Sequence, residues 1–128
     1  MAYTIEVENQ GVYVAFFAKE KATGNTIGTV IVDPLYGDFH RYPDDYCKPS
    51  GKLAWIVIIK VDKSYTNRGI ATSLMGKVIK KFHNWNIGLV VAPCLHQTMS
   101  QNQLKEFYSK FGFVRTKELC CIMIRRPE

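Results

Sequence analysis

Short stretches of alternating or continuous apolar residues open the chain. Tyr3 to Glu8 alternates, with Ile5 and Val7 on one side, as a half-buried strand does. Asn9-Gln10-Gly11 is a turn signal, and Val12 to Lys19 predicts a second strand rich in Val, Tyr and Phe. Thr23-Gly24-Asn25 turns the chain again, into a third strand, Thr26 to Val32, dominated by β-branched residues. Three strands joined by short turns predict an antiparallel meander. From Pro34 to Gly51 the texture changes to Pro, Gly, Asp, Tyr and His, which predicts a long surface loop, either functional or a tolerated insertion.

Leu53 to Val61 is almost continuously apolar, as in a central strand covered on both faces. Asp62 to Asn67 is polar and turn-like. Ala71, Leu74, Met75, Val78 and Phe82 then fall at helical spacing, with Lys77, Lys80 and Lys81 off that stripe, so a helix is predicted from Arg68 to Asn84. Ile87 to Ala92 is a short apolar strand and Pro93 to Met99 a loop. Ser100 can cap a second helix that runs to Phe111 and is stopped by Gly112. Phe113-Val114 and Leu119 to Arg126 are closing strands. The order β-β-β-β-α-β-α-β-β predicts an α+β fold, a mixed, mostly antiparallel sheet flanked by two main helices, with residues 1–128 as one domain.

Composition narrows this little. The apolar fraction of 47% and charged fraction of 22% exclude a disordered, collagen-like or coiled-coil chain. Seventeen basic against eleven acidic residues, a formal charge of +6, suit an anionic partner such as a phosphate-bearing cofactor or a nucleic acid, or simply a soluble basic protein. Cys47, Cys94, Cys120 and Cys121 form no CxxC pair and no zinc pattern. No secretory signal opens the chain and no stretch approaches a membrane span, so the expectation is a cytoplasmic protein with reduced thiols and no membrane partner.

Candidate chemistry concentrates where the apolar strand meets the first helix, Val61 to Thr72. Unsatisfied backbone N–H groups and the positive end of the helix dipole converge there, beside Arg68, which makes an anion site. Gly69 removes the side chain that would hold a phosphate off the backbone, and Ala71 keeps the path almost as open. The segment is no Walker loop, because Gly76-Lys77 is followed by Val78, and GxGxxG is absent. On these residues alone an ordinary helix start with Gly69 for packing fits equally.

The string Val61-Asp62-x-x-Tyr65-x-Asn67-Arg68-Gly69-Ile70-Ala71-x-x-Leu74-Met75 resembles the acetyl-CoA loop of the GCN5-related N-acetyltransferases, Arg/Gln-x-x-Gly-x-Gly/Ala between the fourth strand and the next helix. Farther on, Leu104-x-x-Phe107-Tyr108-x-x-Phe111-Gly112-Phe113 resembles that family's later motif, a tyrosine preceding Gly-Phe. The resemblance is strongest over residues 53–114. Thr66 stands where the family has Arg or Gln, Lys63 replaces a common proline, and Asn102 roughly matches a helix asparagine found beside the cofactor. The two helices that usually follow the first strand, which help shape the acceptor site, are missing, since Asn9-Gln10-Gly11 is too short to hold them.

The resemblance implies an acetyl-CoA-dependent N-acetyltransferase that needs no metal. Backbone N–H groups of Asn67, Arg68, Gly69, Ile70, Ala71 and Thr72 would hold the pyrophosphate, with Asn102 nearby. Ile59 and Val61 would offer backbone bonds to the pantetheine arm. The strands around Ile58 and Val90 would splay to admit the thioester. Tyr108 would protonate the leaving thiolate; without the motif it reads as an aromatic on a helix face. The amine acceptor's base is open among His40, Asp44, Asp45 and His96, directly or through water, and Cys94 with His96 lacks an orienting partner. Trp55 and Trp85 read as packing. The alternative is a module on the same fold that binds CoA, a protein or a nucleic acid without catalysis. No aromatic row accompanies Lys77, Lys80 and Lys81, which disfavours nucleic acid. Sheet edges left by the missing helices favour a homodimer.

Overall fold

A computed structural model of the chain describes residues 2–38, 52–65, 69–84, 88–91, 101–115 and 123–125. Strands β1 (Tyr3–Gln10), β2 (Tyr13–Glu20), β3 (Thr26–Asp38), β4 (Lys52–Val61), β5 (Gly88–Val91), β6 (Val114–Arg115) and β7 (Met123–Arg125) form one seven-stranded sheet. Their order is β1-β2-β3-β4-β5-β7-β6. Every pairing is antiparallel except β4 with β5. That parallel pair is joined through α1 (Ile70–Asn84), and α2 (Gln101–Ser109) leads from β5 to β6. The α+β order is therefore the one the sequence predicts.

Several boundaries differ, each for a local reason. β1 and β2 are joined by a two-residue turn, Gly11-Val12, because Gln10 pairs with Tyr13 and Gly11 takes φ 67°. Glycine reaches that left-handed conformation without cost. The predicted loop from Pro34 starts later, since β3 continues to Asp38. Its register with β4 jumps from Asp33↔Trp55 to Gly37↔Leu53, and Pro34 falls within that irregularity. A residue with no N–H is tolerated in a strand at such a place. The rest of the predicted loop, residues 39–51, lies outside the described residues, as do residues 92–100 and 116–122.

α1 begins at Ile70 and not Arg68, and Ile70 joins Leu74, Met75, Val78 and Phe82 in the core while Ala71 is only half-buried. α2 ends at Ser109 and not Phe111. Gly112 at φ 89° donates to the Ser109 carbonyl and Phe113 to the Tyr108 carbonyl, 3.1 and 3.3 Å. This pair of bonds is the Schellman ending, in which a left-handed glycine satisfies the last carbonyls. Phe113 thus closes α2 and does not begin β6.

Directly paired residues of neighbouring strands share a face. On one face Phe16, Val30, Ile59, Ile56 and Met123 form a single buried cluster with the α1 stripe and with Leu104 and Tyr108 of α2. Both helices therefore cover this face. The other face carries Phe17, Ile31, Asp33, Trp55, Ile58 and Val114. Among the described residues no helix packs there, and Tyr13, Ile58 and Val114 are 41%, 37% and 50% exposed.

Gly28 sets how closely α1 approaches the sheet. A Cβ there would lie 3.1 Å from both Ile70 Cγ2 and Leu74 Cδ1, and 3.5 Å from the Lys60 carbonyl oxygen. Gly28→Val is expected to lower stability by about 1–3 kcal/mol, as overpacking does, measured as a lower midpoint in urea unfolding. An unchanged midpoint would show that α1 can lift from β3 without loss.

Candidate active site

The β4-to-α1 connection is tied down on both sides. The Asp62 N–H donates to the Ile27 carbonyl, 2.9 Å, and the Tyr65 N–H to the Asp62 carbonyl, 2.8 Å, as Lys63–Tyr65 makes one 3-10 turn. The Tyr65 hydroxyl donates to Glu20 Oε2 at 3.0 Å, which anchors that turn to the end of β2. α1 then starts over Gly28, the β3 partner of Val61, so the end of β4 and the amino end of α1 lie together.

Gly69 sits at φ 77° immediately before the helix, and among the described residues, its chain neighbours aside, no atom lies within 4 Å of where its Cβ would be. The first intrahelical bond runs from the Ser73 N–H to the Gly69 carbonyl, 3.0 Å. The N–H groups of Ile70, Ala71 and Thr72 consequently have no carbonyl four residues back within the helix. No acidic residue occupies the helix's own first turn, so α1 sets no carboxylate against the positive end of its dipole. Among the described residues this is an anion cradle at the end of a central strand, suited to a phosphate.

The second element is a bulge in β4. Among the described residues β5 pairs with β4 from Leu53↔Gly88 to Ile56↔Val91, and β4 continues to Val61. Just past that last described pair β4 carries the bulge: Ile31 pairs with Ile58 but Val32 pairs with Ile56, leaving Val57 as the extra residue. Val57 and Ile58 are 38% and 37% exposed, in a strand whose Ile56 and Ile59 are buried. Bulges of this kind interrupt the ladder and re-aim backbone groups beside functional sites. Of the two residues expected beside an opening, Val90 pairs with Trp55, and Ile58 lies beyond the last described β4–β5 pair.

The third element is Tyr108, wholly buried in the cluster that includes Ile56 and Ile59. Its ring meets Phe113 and Phe107 edge-on, both with centroids 5.3 Å apart. The Phe113 contact is the apolar clasp that accompanies the Schellman ending, so the Tyr-x-x-x-Gly-Phe spacing has a structural cause. Arg125 of β7 adds a bond from Nε to the Phe111 carbonyl, 2.7 Å, at the negative end of α2. Burial pushes the Tyr108 phenol far above the ordinary tyrosine pKa, so its proton is held throughout the physiological range.

Of the predicted cofactor residues, Ile59, Val61, Gly69, Ile70, Ala71 and Thr72 come together at the β4–α1 junction. Ile70 reaches it by its backbone only, because its side chain is core. Asn102 lies exposed in the first turn of α2. Asn67 and Arg68, with Thr66, lie outside the described residues, as do His40, Asp44, Asp45, Cys94, His96 and Trp85. Sequence reasoning missed Gly28, although a lone glycine in a β-branched strand was a signal of close approach. It also missed the Val57 bulge, which leaves no trace in an unbroken apolar run.

The sequence matches the family described as "Acetyltransferase (GNAT) family" over residues 2–113. The chain belongs to this GNAT family. A comparison with curated protein sequences gives no match. Among solved structures, a GNAT family acetyltransferase from Elizabethkingia anophelis with acetyl-CoA bound is similar at 19% identity and TM-score 0.63, over 96% of this chain and 97% of that one. A GNAT acetyltransferase from Staphylococcus aureus Mu50 is similar at 20% identity and TM-score 0.63, over 91% and 68%. The KacTA–DNA complex contains another similar chain, at 16% identity and TM-score 0.62, over 91% and 69%. At these identities the likeness shows a shared fold. No helix among the described residues is long and apolar enough to cross a membrane.

Proposed function

We propose that this GNAT protein is an N-acetyltransferase that moves acetyl from acetyl-CoA directly to a primary amine. The observation that supports the reading is the amino end of α1, with left-handed Gly69 and no first-turn carboxylate, set at the end of a central strand that carries a bulge. In this reading the first-turn N–H groups hold the pyrophosphate, together with Asn67 and Arg68, while Ile59 and Val61 bond the pantetheine arm and Asn102 lies alongside. Acetyl-CoA supplies an activated acyl group: the amine nitrogen bonds to the carbonyl carbon and the C–S bond breaks. Backbone groups at the bulge orient the carbonyl, Tyr108 gives its hydroxyl proton to the departing thiolate, and the proton that the amine nitrogen sheds, passed through water, restores the phenol. The reaction is placed in the cytoplasm, in keeping with the unpatterned cysteines, and β1, the outermost strand, is the edge for a homodimer.

The test is titration of acetyl-CoA into the purified protein by calorimetry, followed by mass spectrometry of a panel of primary amines incubated with both. Micromolar binding and a product heavier by one acetyl group are expected. No binding would overturn the reading. Binding without transfer to any amine would favour the second one, a non-catalytic CoA-binding module, which the Thr66 departure supports. The +6 charge and the DNA-bound neighbour support a nucleic-acid form of that module. In that case affinity for duplex DNA would fall steeply with salt.

A further inference from the structure

We infer that β1 and α1 together form a docking site for an extended acidic segment of another protein, which adds to β1 as a further strand. The site is independent of acetyl transfer. An open groove of about 620 Å³ runs between the two elements, lined by Tyr3, Ile5, Ser73, Gly76, Lys77 and Lys80. Both of its walls, Tyr3–Gln10 and Ile70–Asn84, lie within the described residues.

The strand wall is an unprotected edge. β1 has eight residues, no Pro, no Lys and no bulge in its pairing with β2. Edge strands are commonly blunted by one of these devices. The Lys21 N–H donates to the Ala2 carbonyl, 3.1 Å, so Ala2 and every second residue after it bond to β2. Tyr3, Ile5, Val7 and Asn9 therefore turn their N–H and C=O groups outward, and no described strand receives them. Their side chains lie on the α1 side of the sheet. Val7 pairs with buried Phe16, and the Tyr3 hydroxyl shares a hydrogen bond with Ser73 Oγ, 2.8 Å. Ile5 is half-buried and Val7 is 45% exposed, so apolar surface runs along this edge.

The helix wall supplies the charge. Ser73, Gly76, Lys77 and Lys80 fall on one side of α1 at helical spacing. α1 carries no acidic residue, and among the described residues neither Lys77 nor Lys80 is in an ion pair. Gly76 weakens the helix interior it occupies. Packing within the chain gives no reason for it: apart from its chain neighbours and its own helix backbone, no described atom lies within 4 Å of where its Cβ would be. Its effect is to keep the groove wide. A strand added to β1 lies about 4.8 Å farther out and sets alternate side chains on the side of the two lysines. Carboxylates at those positions meet Lys77 and Lys80. The positions between them face Glu6 and Glu8 on the opposite side, which disfavours acidic residues there. The pattern recognised is thus an acidic residue at every second position. A second copy of this chain would offer Tyr3, Ile5 and Val7 where carboxylates are wanted and would bring both copies' lysines to one seam. The acidic segment and the homodimer contact proposed above therefore compete for one edge.

The probe is a labelled peptide, Thr-Glu-Thr-Val-Thr-Glu-Thr, with a counterpart carrying Lys for each Glu. Fluorescence anisotropy should show the acidic peptide binding about tenfold more tightly than the basic one, as two exposed ion pairs allow. The double variant Lys77→Glu, Lys80→Glu should reverse that preference at wild-type melting temperature. Gly76→Gln should raise the melting temperature and weaken peptide binding. Hydrogen exchange followed by NMR should slow at the amides of Tyr3, Ile5, Val7 and Asn9 when the peptide is added. No binding, or equal affinity for the two peptides, overturns the site. Binding that leaves those four amides unchanged overturns strand addition. Slow exchange there before any peptide is added means that a second copy holds the edge, and also overturns it. Displacement of the peptide by duplex DNA would assign the lysines to nucleic acid instead and overturn it too.

Discussion

Tyr108→Phe is expected to lower kcat by about 10²- to 10⁴-fold, the usual contribution of a positioned proton donor, while acetyl-CoA binds as before. The substitution removes one oxygen and keeps the ring that packs on Phe107 and Phe113, so the Schellman ending of α2 and the core around it are retained. The pH dependence is specific. A donor must be protonated to act, and burial raises this phenol's pKa, so no loss of rate from Tyr108 ionisation occurs across the range where an ordinary tyrosine titrates. Stability follows the same sign. In the unfolded chain the phenol ionises near pH 10, whereas the folded chain holds its proton. The stabilisation is complete below that pH and is lost progressively above it. Denaturant midpoints measured upward from pH 9 should therefore fall less steeply in Tyr108→Phe than in wild type. Full activity in the variant would remove Tyr108 from the chemistry and leave it as packing.

Gly69→Glu is expected to lower acetyl-CoA affinity at least a hundredfold, a loss of about 2.7 kcal/mol at 1.36 kcal/mol per tenfold. Two effects combine. A side chain at φ 77° costs about 1–2 kcal/mol of backbone strain, which weakens the helix start. The carboxylate then enters the open space beside the first-turn N–H groups, where it competes with phosphate and repels it. Gly69→Asn separates the effects, because asparagine tolerates the left-handed region and carries no charge. Calorimetry should give Gly69→Asn an affinity within tenfold of wild type. Equal, wild-type affinity in both variants would mean that the pyrophosphate lies elsewhere.

The sheet was legible because its strands alternate or run apolar between turn residues, and because the first two turns each carry a glycine at positive φ, Gly11 and Gly24. Helix α1 was legible from its stripe, although its start was misplaced. Arg68 looks helical by composition, whereas the left-handed Gly69 sets the boundary. The end of β3 was hidden by Pro34, a strand breaker everywhere except in an irregular register. At the site, the cradle and Tyr108 could be found through the family's spacing. The bulge could not, since an unbroken apolar run shows no change of period when one residue is added; the strand expected to be covered on both faces in fact leaves Val57 and Ile58 exposed.

The turn at Gly11-Val12 has a consequence for how this fold diversifies. It closes an edge hairpin, Val12 is 62% exposed, and among the described residues, its chain neighbours aside, nothing crowds Gly11 within 4 Å. Doubling a loop's length costs only about 0.6 kcal/mol, so extra residues spliced between these two would leave the strands paired. They would emerge at the rim of the sheet, far in the chain from β4, α1 and α2. The hairpin tip is thus a graft point at which a new segment could be installed without rebuilding the β4–α1 junction or α2.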